Sequence, residues 1–312
     1  MTILETIIPV FVMIALGKFL SAKKILTPDG ISSIKSVAVN IMLPVMAFDS
    51  LIHGSFSKDS LVLIALEIFA LAAAFAAGFL LRRFFDAEIR SYVPYAMTTY
   101  EGGMFGWALI SLLVGQKNMF YIVSMDIFSG IFGFTVTATG LKLISGQKMT
   151  RNEIIKSIAT NPLVIATVLG FAGAAVHLGE IIDSSKFAGL YSKTAALFIQ
   201  PLSPLILLCI GAGLVFDRKI LAKGLRLALI RYAVQGAICA AVLFMISRTI
   251  GLNSALKVSL LVYFFIPTSF LLSMYATNKK AEEFISGLLS LQLIISLLIF
   301  SLVSIYAGTL TF

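Results

Sequence analysis

The residues of this chain best able to do chemistry are charged groups set inside apolar runs: Asp49, Glu67, Glu101, Asp126 and Arg231. An ionised side chain at bilayer depth costs roughly 2.5–3.5 kcal/mol on insertion scales, so each is by default a handler of protons, ions or substrate. Glu101 is the most informative, because it is followed directly by Gly102 and Gly103. Glycines tolerate open backbone angles, and the pair predicts a helix interrupted at mid-membrane. Pro267 predicts a second interruption, since proline removes a donor and clashes with the preceding turn. Thr268 and Ser269 follow it with hydroxyls able to cap a new half-helix. Main-chain groups freed at such breaks must line a cavity rather than face lipid. Half-helices starting near Gly103 or Met104 and near Thr268 would then aim two positive ends at one place, which suits an anion and typically a carboxylate. The alternative is two ordinary kinks.

Glu67 and Asp126 lie at similar distances from the outer ends of their runs, and two carboxyls at one depth can share a proton. They are read as proton-binding or as structural hydrogen-bonding groups. Arg231 falls about 164 positions after Glu67 and is expected either to pair with an acid or to snorkel to the interface. Asp49 is expected at a water-filled cavity or at the outer interface. Asn40 is the best polar candidate for substrate contact on the second run. Gln200 and Gln235 are read as buried hydrogen-bonding groups, and Lys193 and Lys257 as snorkelling side chains or attractors of anions.

These residues need elements to hold them. Of 312 residues, 59% are hydrophobic and 12% charged, with mean hydropathy +1.00, a balance that places nearly all of the chain in lipid. Ten apolar runs are expected, at about 2–20, 31–53, 60–81, 91–114, 118–143, 153–176, 186–216, 224–248, 253–278 and 283–309. The net charge of +9 does not imply nucleic acid, because the basic residues cluster in alternate loops. Lys23 and Lys24, then Arg82, Arg83 and Arg90, then Lys142, Lys148, Arg151 and Lys156, then Arg218, Lys219, Lys223 and Arg226, and finally Lys279 and Lys280 mark the odd-numbered loops. These loops are expected in the cytoplasm and both termini outside it.

Pro44 and Pro204 lie about 160 positions apart, and the glycine pair and Pro267 about 164. Five runs is an odd number, so a five-plus-five duplication inverts its second half, the usual basis of alternating access. The expected fold is therefore all-α and integral to the membrane. It has ten transmembrane helices in a 5+5 inverted repeat, with helices 4 and 9 broken and crossing. Residues 1–144 form the first repeat, 145–152 a cytoplasmic connection and 153–312 the second repeat. Helix breaks are expected at Pro44, Pro204 and Pro267. The first run reads as a retained span rather than a cleavable signal. Cys209 and Cys239 read as apolar packing residues, not a disulfide framework. His53 and His177 fall at loop edges, and no zinc-protease, nucleophile-elbow or phosphate-loop pattern is present, so no enzymatic activity, metal or cofactor is expected.

Asn40 to Pro44, Gly102 to Gly106, Asp126, Asn161-Pro162-Leu163, Pro204 to Gly211 and Pro267, in this order, resemble the auxin efflux carrier family. The resemblance implies the fold of bile-acid sodium symporters, with polar groups such as Glu67 and Asp126 supporting the crossing from behind. It implies a carboxylate substrate, mono- or dicarboxylate, and admits a homodimer. The chain departs from the family where it has Glu101 in place of an asparagine and Ala108 in place of a proline. A fixed negative Glu101 repels a carboxylate, so either Glu101 is protonated when the anion binds, or the substrate is cationic or zwitterionic.

The expected function is secondary active transport of a small organic anion across the bilayer of a bacterial inner membrane. Substrate would bind at Asn40, Glu101, Gly102, Gly103, Pro267, Thr268 and Ser269. Protons would couple through Glu101 or through Glu67 and Asp126, with Asp49, Gln200 and Arg231 in support. Sodium coupling, uncoupled transport and a ten-span exporter of the drug and metabolite type are the alternatives. Such an exporter would place both termini inside. Reporter fusions at each terminus separate the two, and extracytoplasmic activity is expected at both.

Overall fold

The computed structural model describes residues 3–54, 58–146, 150–214 and 217–310, and among them every regular element is helical. The first half runs through α1 (Ile3–Ala22), α2 (Pro28–Val37), α3 (Leu43–Ile52), α4 (Lys58–Leu81), α5 (Val93–Thr98), α6 (Trp107–Val114), α7 (Phe120–Phe132) and α8 (Ala138–Ile144). The second runs through α9 (Arg151–Ala159), α10 (Pro162–Ala175), α11 (Leu178–Asp183), α12 (Ala188–Ile199), α13 (Leu202–Gly213), α14 (Arg218–Thr249), α15 (Ser254–Tyr263) and α16 (Lys279–Ala307). π-helical turns over Ala38–Met42 and Gly133–Thr137 join α2 to α3 and α7 to α8, so those runs continue without a break. Residues 147–149, including Lys148 in the expected connection between halves, lie outside the described residues.

Local chemistry explains where helices start. Asn161, Asp217, Asn253 and Asn278 each accept a main-chain N–H in the first turn of the helix that follows. Asn161 with Pro162 also explains why the expected sixth run divides into polar α9 and apolar α10, since proline suits the first helical position.

Two of the three predicted proline breaks need correction. Pro44 sits in the first turn of α3, directly after the π-helical turn Ala38–Met42, whose wider winding carries the run past a residue with no N–H, and Pro204 sits in the first turn of α13, where no intrahelical N–H is due. The turn in the seventh run falls instead at Gln200 and Pro201. Gln200 is exposed there, not buried.

Among the described residues, six helical runs are long and apolar enough to cross a bilayer: Pro28–Ile52, Asp59–Phe84, Phe120–Ile144, Ala188–Gly213, Arg218–Thr249 and Lys279–Ala307. Shorter apolar helices cover Ile8–Ala22, Pro162–Ala175 and Ser254–Tyr263. The fourth and ninth expected runs are absent from the six because each is cut in two. Large apolar side chains such as Val168, Leu197, Leu298 and Leu302 point outward, as a lipid-facing surface requires.

Hydrocarbon gives apolar helices no reason to associate, so close packing must hold them together, and small residues permit it. Two of the close helix pairs depend on glycine at the point of main-chain contact. Gly17 and Gly211 let α1 and α13 touch at Leu208 and Ile14, while Gly224 and Gly287 do the same for α14 and α16. A β-carbon at any of these four would collide with main-chain atoms of the facing helix. Gly211→Leu is therefore expected to lose about 1–3 kcal/mol or more through overpacking. Gly189→Ala, which meets open space, should be neutral. Thermal unfolding of the purified variants in detergent measures both.

Candidate functional site

The two interruptions meet. After α5 the backbone leaves helical geometry over residues 99–101, extended at Thr99, then turns through a π-helical segment, Gly102–Gly106, into α6. After α15 it turns at Phe264, runs extended through Pro267 and Thr268, and enters a 3-10 helix, Phe270–Tyr275, capped by the Ser269 hydroxyl on Leu271 N–H. The Glu101 amide donates to the Pro267 carbonyl at 2.9 Å. The Thr99 hydroxyl donates to the Tyr95 carbonyl at 2.8 Å and lies 2.6 Å from that of Thr268. The Thr268 amide donates to Gln292 Oε1 at 2.8 Å. Thr268 thus ties the breaks together through its hydroxyl, and the cap comes from Ser269.

Arg231 departs from both of its expected roles. It is fully buried, so it does not snorkel, and its hydrogen bonds go to carbonyls rather than to an acid. Its Nη1 donates to the Ala96 and Met97 carbonyls at 2.8 Å each, and its Nη2 to the Ile266 carbonyl at 3.2 Å. The reason is general: the last carbonyls of a helix such as α5 lack intrahelical donors, and so does a carbonyl in the non-helical stretch after α15, where Ile266 lies. One planar guanidinium serves both. Gln235, one turn further along α14, donates to the Met97 carbonyl and accepts from the Tyr100 hydroxyl, each at 2.8 Å. The Tyr100 ring lies 5.3 Å from the guanidinium and 5.0 Å from the Tyr263 ring.

The structure brings Glu67 and Asp126 to one group. The Tyr263 hydroxyl is 3.0 Å from Glu67 Oε1 and 2.9 Å from Asp126 Oδ1, with all three residues buried. A phenol carries one proton. It can donate to one carboxylate only, so the second contact is a hydrogen bond only when the other carboxyl carries a proton. Asp126 also packs its carboxyl against the Cα of Gly102, leaving no room there for any side chain.

A cavity of about 470 Å³ opens in front of the breaks. Glu101, Gly102, Gly103, Asp126 and Ser269 line it, facing Lys35, Val39 and Leu43 of the second run. Leu163 and Thr167 from α10 and Ser273 before α16 also line it. Asn40 lies outside this lining on an exposed face, donating to the Ser36 carbonyl at 2.9 Å. Pro267 and Thr268 stand behind the wall rather than in it. Asp49 belongs to another place: it accepts from the Tyr191 hydroxyl at 3.1 Å and lies 3.4 Å from His53, beside a second cavity lined by both histidines. Lys257 donates to the Tyr306 hydroxyl, and Cys209 and Cys239 are buried free thiols.

Three lining or bridging residues were not singled out from sequence. Tyr263 is one of nine tyrosines with no local mark of its role. Trp107 looks like any large apolar residue. Lys35 carried the one usable signal, a charge just inside an apolar run, spaced by four and eight from Val39 and Leu43.

Helices with an apolar exterior, enclosing a cavity with acidic and basic side chains where two broken helices touch, define a multi-pass membrane transporter. Residues 2–304 match the family described as membrane transport protein, and the chain belongs to it, the auxin efflux carrier family. No curated protein matches the chain.

Arg231→Met takes the side-chain donor from the carbonyls of Ala96 and Ile266, at about 1–3 kcal/mol each, and leaves that of Met97 to Gln235 alone. Arg231→Lys keeps a charge with fewer, less directed donors. The methionine variant is expected to lose most of its folded yield and the lysine variant to unfold at an intermediate temperature, as read by size-exclusion profile and melting in detergent.

Proposed function

We propose that this protein is a secondary carrier that moves a small organic anion across the membrane by alternating access, coupled to protons. The observation that carries the reading is the cavity at the touching breaks, where Asp126 both lines the space and shares the Tyr263 hydroxyl with Glu67. A proton held by that pair can be exchanged as substrate enters or leaves. Glu101 is the second acid facing the cavity, protonated when the anion is bound, and its N–H fixes one break to the other.

The architecture behind this reading is ten membrane crossings in two inverted repeats, residues 1–144 and 153–312, with the fourth and ninth crossings broken and crossing. Helix pairing supports it. Adding five, cyclically, to the segment numbers turns the α1–α13 pair into the α10–α3 pair and the α4–α7 pair into the α14–α16 pair. So does the placement of polar groups. Asp126 meets the first break at Gly102, and Gln292, about 166 positions later, meets the second at Thr268.

The segments around α1, α3, α10 and α13 form one body, and those around α4, α7, α14, α15 and α16 carry the breaks. Substrate sits between them, and relative movement of the two exposes it to either side. With the basic loops in the cytoplasm and both termini outside, the present cavity opens inward.

Uptake into proteoliposomes tests this, using malonate, malate, lactate, indole-3-acetate and a cationic amine under a proton gradient, a sodium gradient or neither. Proton-driven carboxylate uptake is expected. Asp126→Asn should abolish coupling, and Glu101→Gln should weaken or uncouple it. Uptake of the amine alone, indifferent to protons, would make Glu101 a counter-ion for a cation and overturn the anion reading.

A further inference from the structure

The charges around the cavity are unevenly placed. Two carboxyls, Glu101 and Asp126, stand at the break, and one basic side chain, Lys35, stands across from them on α2. Lys35 shares a helix face with Val39 and Leu43, both of which also line the cavity, so the face is directed inward. Neighbouring positions Ser36, Val37 and Asn40 are exposed away from it. Between the two poles the walls are largely apolar: Val39, Leu43, Trp107, Leu163, Val164 and Leu271.

An organic anion leaving water for such a space needs a counter-charge, and a partly buried ammonium–carboxylate pair is among the stronger polar contacts available. The cavity offers one. A second negative charge on the same molecule would meet no second basic side chain among the described lining residues, and would have to sit on apolar wall or beside Glu101 and Asp126, which tolerate it only while protonated.

We propose that Lys35 pairs with the substrate's carboxylate and that this single cation makes the carrier selective for monocarboxylates over dicarboxylates. The assignment rests on the carrier reading above and narrows it. The uncharged part of the substrate lies along the apolar walls. Its hydrogen-bonding groups face Thr99, Ser129 and Ser269 at the break.

The chain has one tryptophan, and Trp107 is in the cavity wall, so binding can be read without transport. Butyrate, lactate and malonate would be titrated against the Trp107 fluorescence of purified wild type, Lys35→Gln and Lys35→Arg. Matched melting temperatures and unliganded spectra would show that the variants are folded.

Wild type is expected to bind butyrate or lactate at least tenfold more tightly than malonate. Lys35→Gln should weaken monocarboxylate binding at least tenfold, with Lys35→Arg within about threefold of wild type. Wild-type affinity in Lys35→Gln overturns the Lys35 assignment and leaves the carrier reading standing. Tighter binding of malonate than of the monocarboxylates overturns the selectivity. Failure of wild type to bind any of the three, together with failure to take up any carboxylate, overturns the carrier reading and this assignment with it.

Discussion

A main-chain amide or carbonyl opened at bilayer depth has no water to turn to, and leaving it unpaired costs several kcal/mol. The two helix interruptions open many such groups within a few ångströms of one another. Their satisfaction organises the centre of the molecule. Glu101 N–H goes to Pro267, Thr268 N–H to Gln292, and the carbonyls of Ala96, Met97 and Ile266 go to Arg231. The partners come from α14, α16 and the stretch that follows α15, so these elements are positioned by what the breaks demand.

A buried guanidinium is costly, and its usual remedy is a carboxylate. Here the remedy is three carbonyls and an aromatic face. The carboxyls of Glu67 and Asp126 are thereby left to one another, bridged by a phenol with a single proton. Had Arg231 paired with either acid, the pair would be locked as an ion pair with no proton to exchange. The buried cation and the carboxyl pair are kept apart, with the Tyr100 and Tyr263 rings between them, tilted to one another at 5.0 Å.

What sequence made legible was what local chemistry controls. A glycine pair after Glu101 and a proline at 267 mark breaks because each acts on its own backbone. The order of apolar runs and the placement of basic loops follow from composition alone. Pro44 and Pro204 misled because a proline in a helix's first turn looks the same in sequence as one that breaks a helix. The partners of Arg231, the bridging of Glu67 to Asp126 by Tyr263 and the exclusion of Asn40 from the cavity depend on which helices become neighbours. No periodicity within one helix reports that. Lys35 was half legible: its spacing from Val39 and Leu43 was visible, but not the cavity they face.

The dependence of α5 on Arg231 also bears on how the protein is made. The carbonyls of Ala96 and Met97 receive a donor synthesised 135 and 134 residues later. At about 5–20 residues per second, that donor arrives on the order of ten seconds after the segment it must serve. Throughout that interval the broken fourth segment has open carbonyls and no guanidinium. It must be held by the insertion machinery, by water or by temporary contacts before it can settle. The first half of this chain is thus completed by its second half, and a ribosome stalled between them would leave a membrane protein with an unsealed wound at its centre.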